Sequence, residues 1–158
     1  MPCSAESMGT ERLTERPSTF EDGQDIRDRT FAFACRVVGF CEDLYERGGV
    51  ARMMVAQLLS CSLSCATMLE EARAAESDAD FISKCAISLK EGRESWTRLR
   101  VCERRGLGSS DESRQLVQEA NELISIITTI IRNKRQNAAA AKPKPRRRRS
   151  YEFQVPNS

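Results

Sequence analysis

The sequence predicts an all-α protein, an antiparallel up-down-up-down four-helix bundle with disordered N- and C-terminal tails. Three observations predict it. Apolar residues recur at helical spacing from Arg27 to Ile131, turn chemistry interrupts them at three places, and each interruption is short. Short connections make successive helices antiparallel, and helices of about 20 to 28 residues span about 30 to 42 Å at 1.5 Å per residue.

The first helix, over 27–46, steps through Phe31, Ala34, Val38, Cys41 and Tyr45, with Phe33, Val37, Phe40 and Leu44 widening the stripe; Gly48-Gly49 ends it. The second, over 50–75, steps through Ala51, Met54, Leu58, Cys61, Cys65, Met68, Ala72 and Ala75, the seam of a packed bundle. The third opens at Ser77-Asp78-Ala79-Asp80, where Ser77 or Asp78 can accept from the first amides and acidic charge suits a helix N-terminus. Its seam is Ile82, Cys85, Leu89, Gly92, Trp96 and Leu99. The fourth opens at Ser109-Ser110-Asp111-Glu112, a capping-box arrangement, and continues through Leu116, Ala120, Leu123, Ile127 and Ile130.

The chain of 158 residues divides by composition into a polar, acidic leader over 1–26, a bundle over 27–135 and a basic tail over 136–158. The formal charge of +2 conceals this division. Residues 1–26 carry two basic and six acidic side chains, residues 27–131 carry 14 and 16, and the last 27 residues carry nine and one. Nearly all the net positive charge is therefore in the tail.

Histidine is absent, which excludes Ser-His-Asp and Cys-His catalysis, HExxH metalloproteases and Cys2His2 zinc sites. No glycine-rich phosphate loop occurs, so a non-enzymatic protein without a cofactor is expected. The seven cysteines are odd in number and irregularly spaced, unlike a disulfide framework. With no run of 18 apolar residues and no secretory leader pattern, a cytoplasmic protein away from membranes is expected.

Several residue groups carry candidate chemistry. Cys61 and Cys65, with Cys35, Cys41 and Cys85, have spacing for a thiolate site, but all except Cys35 fall on seams, where cysteine packs as a small hydrophobe. Glu70, Glu71, Glu91 and Glu94 resemble carboxylate metal bundles but lack the Glu-x-x-His motif; ion pairs with Arg73, Lys84, Lys90 or Arg98 are the simpler expectation. Lys90, Arg93, Arg100 and Arg104 share a flank of the third helix, with Arg98 and Arg105 near, and can contact phosphates. Interleaved Glu91, Glu94 and Glu103 leave an ordinary solvated face as the alternative.

The tail segment Lys142, Lys144, Arg146, Arg147, Arg148 and Arg149, with prolines between the first cations, suits phosphate recognition. Tyr151 and Phe153 can stack on bases. A solubilising tail, or one docking on an acidic protein, is the alternative. Apolar residues off the seams, Ile87 and Val101 on the third helix and Val117, Ile124, Ile126 and Ile131 on the fourth, predict an interface for self-association.

Three segments in order, Leu69-Glu70-Glu71-Ala72, Ala79-Asp80-Phe81-Ile82-Ser83-Lys84 and Leu89-Lys90-Glu91 with Arg93-Glu94 and Trp96 to Arg100, resemble the bacterial four-helix-bundle family of 23S ribosomal-RNA intervening-sequence proteins. The resemblance covers about residues 27 to 135. It implies a non-enzymatic bundle assembling into a ring-like homopentamer. Relatives in that family include the accessory variability proteins of diversity-generating retroelements, which bind a reverse transcriptase and nucleic acid through a basic surface. The expectation is thus an oligomeric adaptor associated with RNA or DNA. The alternatives are a protein-only oligomeric scaffold and a thiol or metal sensor.

Overall fold

Local capping chemistry delimits four helices. The computed structural model describes residues 25–140, which form α1 (Ile26–Arg47), α2 (Gly49–Arg73), α3 (Asp78–Arg105) and α4 (Ser110–Ala140). Residues 1–24 and 141–158 of the expected leader and tail lie outside the described residues. Asp25 starts α1 by accepting from the Arg27 amide at 2.9 Å. Gly48 and Gly49, with φ of 70° and 55°, turn the chain directly into α2. Ser77 caps α3, accepting from the Asp80 amide at 3.1 Å, and left-handed Gly106 ends it, followed by Leu107 N–H donating to Cys102 C=O at 2.9 Å.

Several boundaries differ from the sequence expectation: α2 runs Gly49–Arg73 and leaves Ala75, expected on its seam, outside the helix, and α1 ends at Arg47. Ile26 already belongs to α1, and α4 continues through residues 136–140 because Gln136, Asn137 and the first alanines contain nothing that stops a helix. Glu112, expected to reach back toward Ser109, instead accepts from Arg36 Nε of α1 at 3.0 Å. A tertiary partner wins over the local cap.

Side-chain pairs establish the helix directions. Across α2 and α3, Gln57 meets Arg98 while Glu71 meets Lys84. Across α1 and α4, Arg29 meets Glu119 while Arg36 meets Glu112. Advancing along one helix means retreating along its neighbour, so these pairs are antiparallel. Lys134 at the end of α4 likewise meets Asp78 at the start of α3. Each helix packs against two neighbours in the cyclic order α1-α2-α3-α4.

The larger core layer joins Phe33, Val37, Phe40 and Leu44 of α1 to Leu58 and Cys61 of α2, Leu99 and Cys102 of α3, and Leu116, Ala120 and Leu123 of α4. A second layer holds Cys65, Leu69, Ala72, Cys85, Ile127 and Ile131. The α1 stripe is a correction. Phe31, Val38 and Tyr45, expected on the seam, are exposed, and the core takes the residues expected only to widen it, together with Ala34 and Cys41. On α2, Leu69 is buried where Met68 was expected.

Small side chains let α2 and α3 approach closely. A Cβ added to Gly92 would lie 3.3 Å from Cys65 Sγ and 3.8 Å from Ile124 Cγ1. Hydroxyls in the same seam are satisfied across it: Ser88 Oγ donates to Cys65 C=O at 2.7 Å, and Ser62 and Ser95 lie 3.2 Å apart. No buried hydroxyl there lacks a partner, as a dry interior requires.

The α1–α4 edge closes on charge. Arg29 donates from Nε and Nη2 to the two oxygens of Glu119 at 2.7 and 2.8 Å, and its guanidinium also meets Glu122. Only 5% of the Glu119 side chain is exposed, so this bidentate pair substitutes for solvation of both ions. Arg29 holds the Glu122 carboxyl below the usual carboxylate range. Because that value is lowered on folding, its stabilising contribution is present at neutral pH and is lost as pH falls through it.

Two stability predictions result. Gly108 has φ of 78°, and a Cβ there would sit 2.5 Å from Phe40 Cε2, whereas at Gly106, with φ of 63°, nothing lies within 4 Å. Gly108→Ala should destabilise by about 2–4 kcal/mol in urea unfolding, and Gly106→Ala by about 1–2, since only the first adds overpacking to backbone strain. Arg29→Leu should cost about 3–5 kcal/mol by stranding Glu119, and Arg29→Leu/Glu119→Leu should recover most of it in the same measurement.

Candidate nucleic-acid interface

The register of α3 decides where its cations point. Gly92, Ser95, Leu99 and Cys102 face the core, and at 3.6 residues per turn Lys90, Arg93, Thr97, Arg100 and Arg104 share a solvent-facing flank, all exposed. From Lys90 to Arg104 this row rises about 21 Å at 1.5 Å per residue. A shallow groove of about 430 Å³ lies along it, lined by Leu89, Lys90, Arg93 and Thr97 together with Glu94 and Arg98.

Among the described residues, Lys90, Arg93, Arg100 and Arg104 make no ion pair with a carboxylate. Of the interleaved acids, one lines the same groove and two lie off it. Glu94 pairs with Arg98 at 3.5 Å, and Arg98 also donates to Gln57 Oε1 of α2 at 3.1 Å. Glu91 and Glu103 are half-buried and off the row. Glu112, Glu119 and Glu122 of α4 are directed to α1, where Arg36 and Arg29 hold them. The row is thus uncompensated positive charge.

Arg100 differs from its neighbours in one respect. Its guanidinium carbon lies 4.3 Å from the centroid of the Trp96 ring, one turn earlier. Trp96 is half-buried and packs against the larger core layer. Arg132 and Arg135, which sequence reasoning passed over, are exposed on α4 without an ion pair among the described residues. Charge on a helix beyond the expected end of the pattern was their only signal. Lys142, Lys144, Arg146, Arg147, Arg148 and Arg149 of the tail lie outside the described residues, as do Tyr151 and Phe153.

The residues expected at an oligomer interface separate. Ile131 is buried in the second core layer, because the α4 stripe rotates inward near its end. Val117 packs against the larger layer, and Ile124 approaches Gly92. Ile126 is half-buried, while Ile87 and Val101 remain exposed. A more extensive apolar surface appears on the outer faces of α1 and α2. There Phe31 is 67% and Met53 79% exposed, with Val38, Tyr45, Val50 and Leu63 also exposed.

No charged residue occurs between Arg52 and Glu70 on α2. This helix is long and apolar enough, by length and mean hydropathy, to cross a membrane, yet in the bundle it packs between α1 and α3. Its apolar character comes partly from an uncharged outer face.

The competing chemistries have less structural support. Burial pushes the Cys41 thiol up to about 12 and Cys65 up to about 11, and raises Cys61, Cys85 and Cys102 as well. These are packing thiols with little thiolate character. Glu70 pairs with Arg73 and Glu71 with Lys84. Among the described residues no three Cys, Asp or Glu side chains form a set able to hold a metal ion.

Comparison with known proteins supports the fold and the assignment. A solved structure of a protein of unknown function from the S23 ribosomal protein family of Bacteroides thetaiotaomicron matches with a TM-score of 0.62 at 28% identity, covering 68% of this chain and 98% of that one. No curated protein matches. The family model described as 23S rRNA-intervening sequence protein matches residues 24–129, which span all of α1 to α3 and most of α4. With its four helices falling within or continuing from that match, the chain belongs to the 23S rRNA-intervening sequence protein family.

Proposed function

We propose that this chain is a non-enzymatic, self-associating accessory protein that holds RNA or DNA along α3, with its basic tail as a second contact. The uncompensated row Lys90, Arg93, Arg100 and Arg104 carries this reading. Four cations without carboxylate partners on one rigid helix attract phosphate without first breaking an ion pair. The acidity of the bundle as a whole does not oppose this, because its carboxylates are largely engaged elsewhere. A reverse transcriptase, the partner implied by the family resemblance, would share the bound strand with the row.

Self-association uses the apolar face of α1 and α2 in this reading. Large side chains Phe31, Val38 and Tyr45 project from α1, while α2 offers Ala56 and Ser60 between Met53 and Leu63, and Thr67 beyond them. Two unlike strips on one molecule favour a heterologous contact, the kind that closes into rings.

Binding and assembly are tested separately. Filter binding of a labelled single strand across salt should give a log–log slope near −3 from the row alone in a chain ending at Ala140, since each phosphate contact adds about −0.7. The full chain should be steeper by about −4 if the six tail cations all engage. Neutralising Lys90, Arg93, Arg100 and Arg104 to Gln in the shorter chain should abolish binding. Salt-independent binding, or retention by that variant, overturns the role of α3.

In sedimentation at micromolar concentration the wild type should be an oligomer. Five copies at 17.8 kDa each, 89 kDa in all, is the expected size for the implied pentamer. Phe31→Glu/Leu63→Glu, two exposed positions, should give a monomer with unchanged helicity. A monomeric wild type removes the assembly and leaves the nucleic-acid contact to stand alone.

A further inference from the structure

Arg93, Arg104 and Lys90 present free cations, whereas Arg100 lies over an aromatic ring. Its guanidinium is 4.3 Å from the Trp96 centroid, and Trp96 is fixed from below by the larger core layer. The indole orders the guanidinium at the cost of neither a hydrogen bond nor an ion pair, because Arg100 has no carboxylate partner among the described residues. One side of Arg100 therefore faces tryptophan and the other is open to solvent.

A phosphate contact needs no such arrangement. A lysine, or an arginine away from any ring, can also make one. A planar cation held against an indole is suited to a planar partner, and nucleobases stack on arginine planes as they do on aromatic rings. We propose that Trp96 and Arg100 form a stacking platform for one unpaired nucleobase, with Arg93 and Arg104 holding the backbone on either side. This rests on the assignment of the α3 row as a nucleic-acid contact, and deepens it by naming a single strand as the ligand. In a duplex the base faces are covered by neighbouring pairs, and the deep groove of A-form RNA does not admit side chains to the bases.

Trp96 is the only tryptophan in the chain, so its emission reports this position alone. The test titrates the full chain with four fluorescently silent probes of equal length: single-stranded oligoadenylate RNA, its DNA counterpart, an abasic strand with the same phosphates, and an RNA duplex. Anisotropy competition against a labelled strand reads affinity, and Trp96 emission reads the platform. Both base-bearing single strands should change Trp96 emission with the same midpoint as binding. The abasic strand and the duplex should compete through charge yet leave the emission unchanged.

Arg100→Lys keeps the charge and removes the plane. It should weaken base-bearing strands by about tenfold, in the range of one base stack, and leave the abasic strand and the duplex within about twofold. The exposed position makes misfolding readily excluded by an unchanged thermal transition. If the abasic strand changes the emission equally, or Arg100→Lys binds all four probes as the wild type does, the platform is overturned while the charged row stands. If none of the four probes competes or changes the emission, both are overturned together.

Discussion

The close approach of α2 and α3 is the constraint on which the rest of the molecule depends. Gly92 places its backbone where any larger residue would press on Cys65, and Ser88 and Ser95 bond across the same seam. A helix locked this tightly has little freedom to rotate. With Gly92, Ser95 and Leu99 facing inward, the rest of the α3 surface is determined, and the cation row is turned to solvent. The location of the positive charge follows from the packing of small, nearly neutral side chains.

Charge sorting in space is what sequence alone does not reveal. Read along the chain, Glu91, Glu94 and Glu103 are mixed with Lys90, Arg93, Arg100 and Arg104 and cancel them. Around the helix Glu91 and Glu103 separate from the row, because neighbours in sequence stand about 100° apart, while Glu94 stays beside it and is engaged by Arg98. Arg98, an apparent member of the basic cluster, is withdrawn from it by Glu94 and Gln57. The four row residues were legible as a flank. Their freedom from partners was not, since it depends on the rotation of α4, which sends Glu119 and Glu122 toward α1.

The seams of α2, α3 and α4 were largely legible because each has one dominant apolar stripe. α1 was not, because it has two. Phe31, Val38 and Tyr45 fit helical spacing as well as Phe33, Val37, Phe40 and Leu44 do, and periodicity cannot say which stripe meets the core. The same ambiguity affected the residues expected at an interface. Ile131 and Ile124 looked like spare apolar residues on α4 but serve the interior, while the outward stripe of α1 looked like core. Cap residues fared better where their partners are local, as at Ser77, and worse at Glu112, whose partner comes from a distant helix.

The α1–α4 edge also bears on the order of folding. Neighbouring helices meet through short turns, whereas Arg29 and Glu119 are 90 residues apart, so closing this edge carries the largest loop entropy in the bundle. Pairing of neighbouring helices is therefore expected to precede the docking of α4 on α1. Glu112, Glu119 and Glu122 come only with α4, so the charge pairing that fixes this edge and the docking of the last helix are one event.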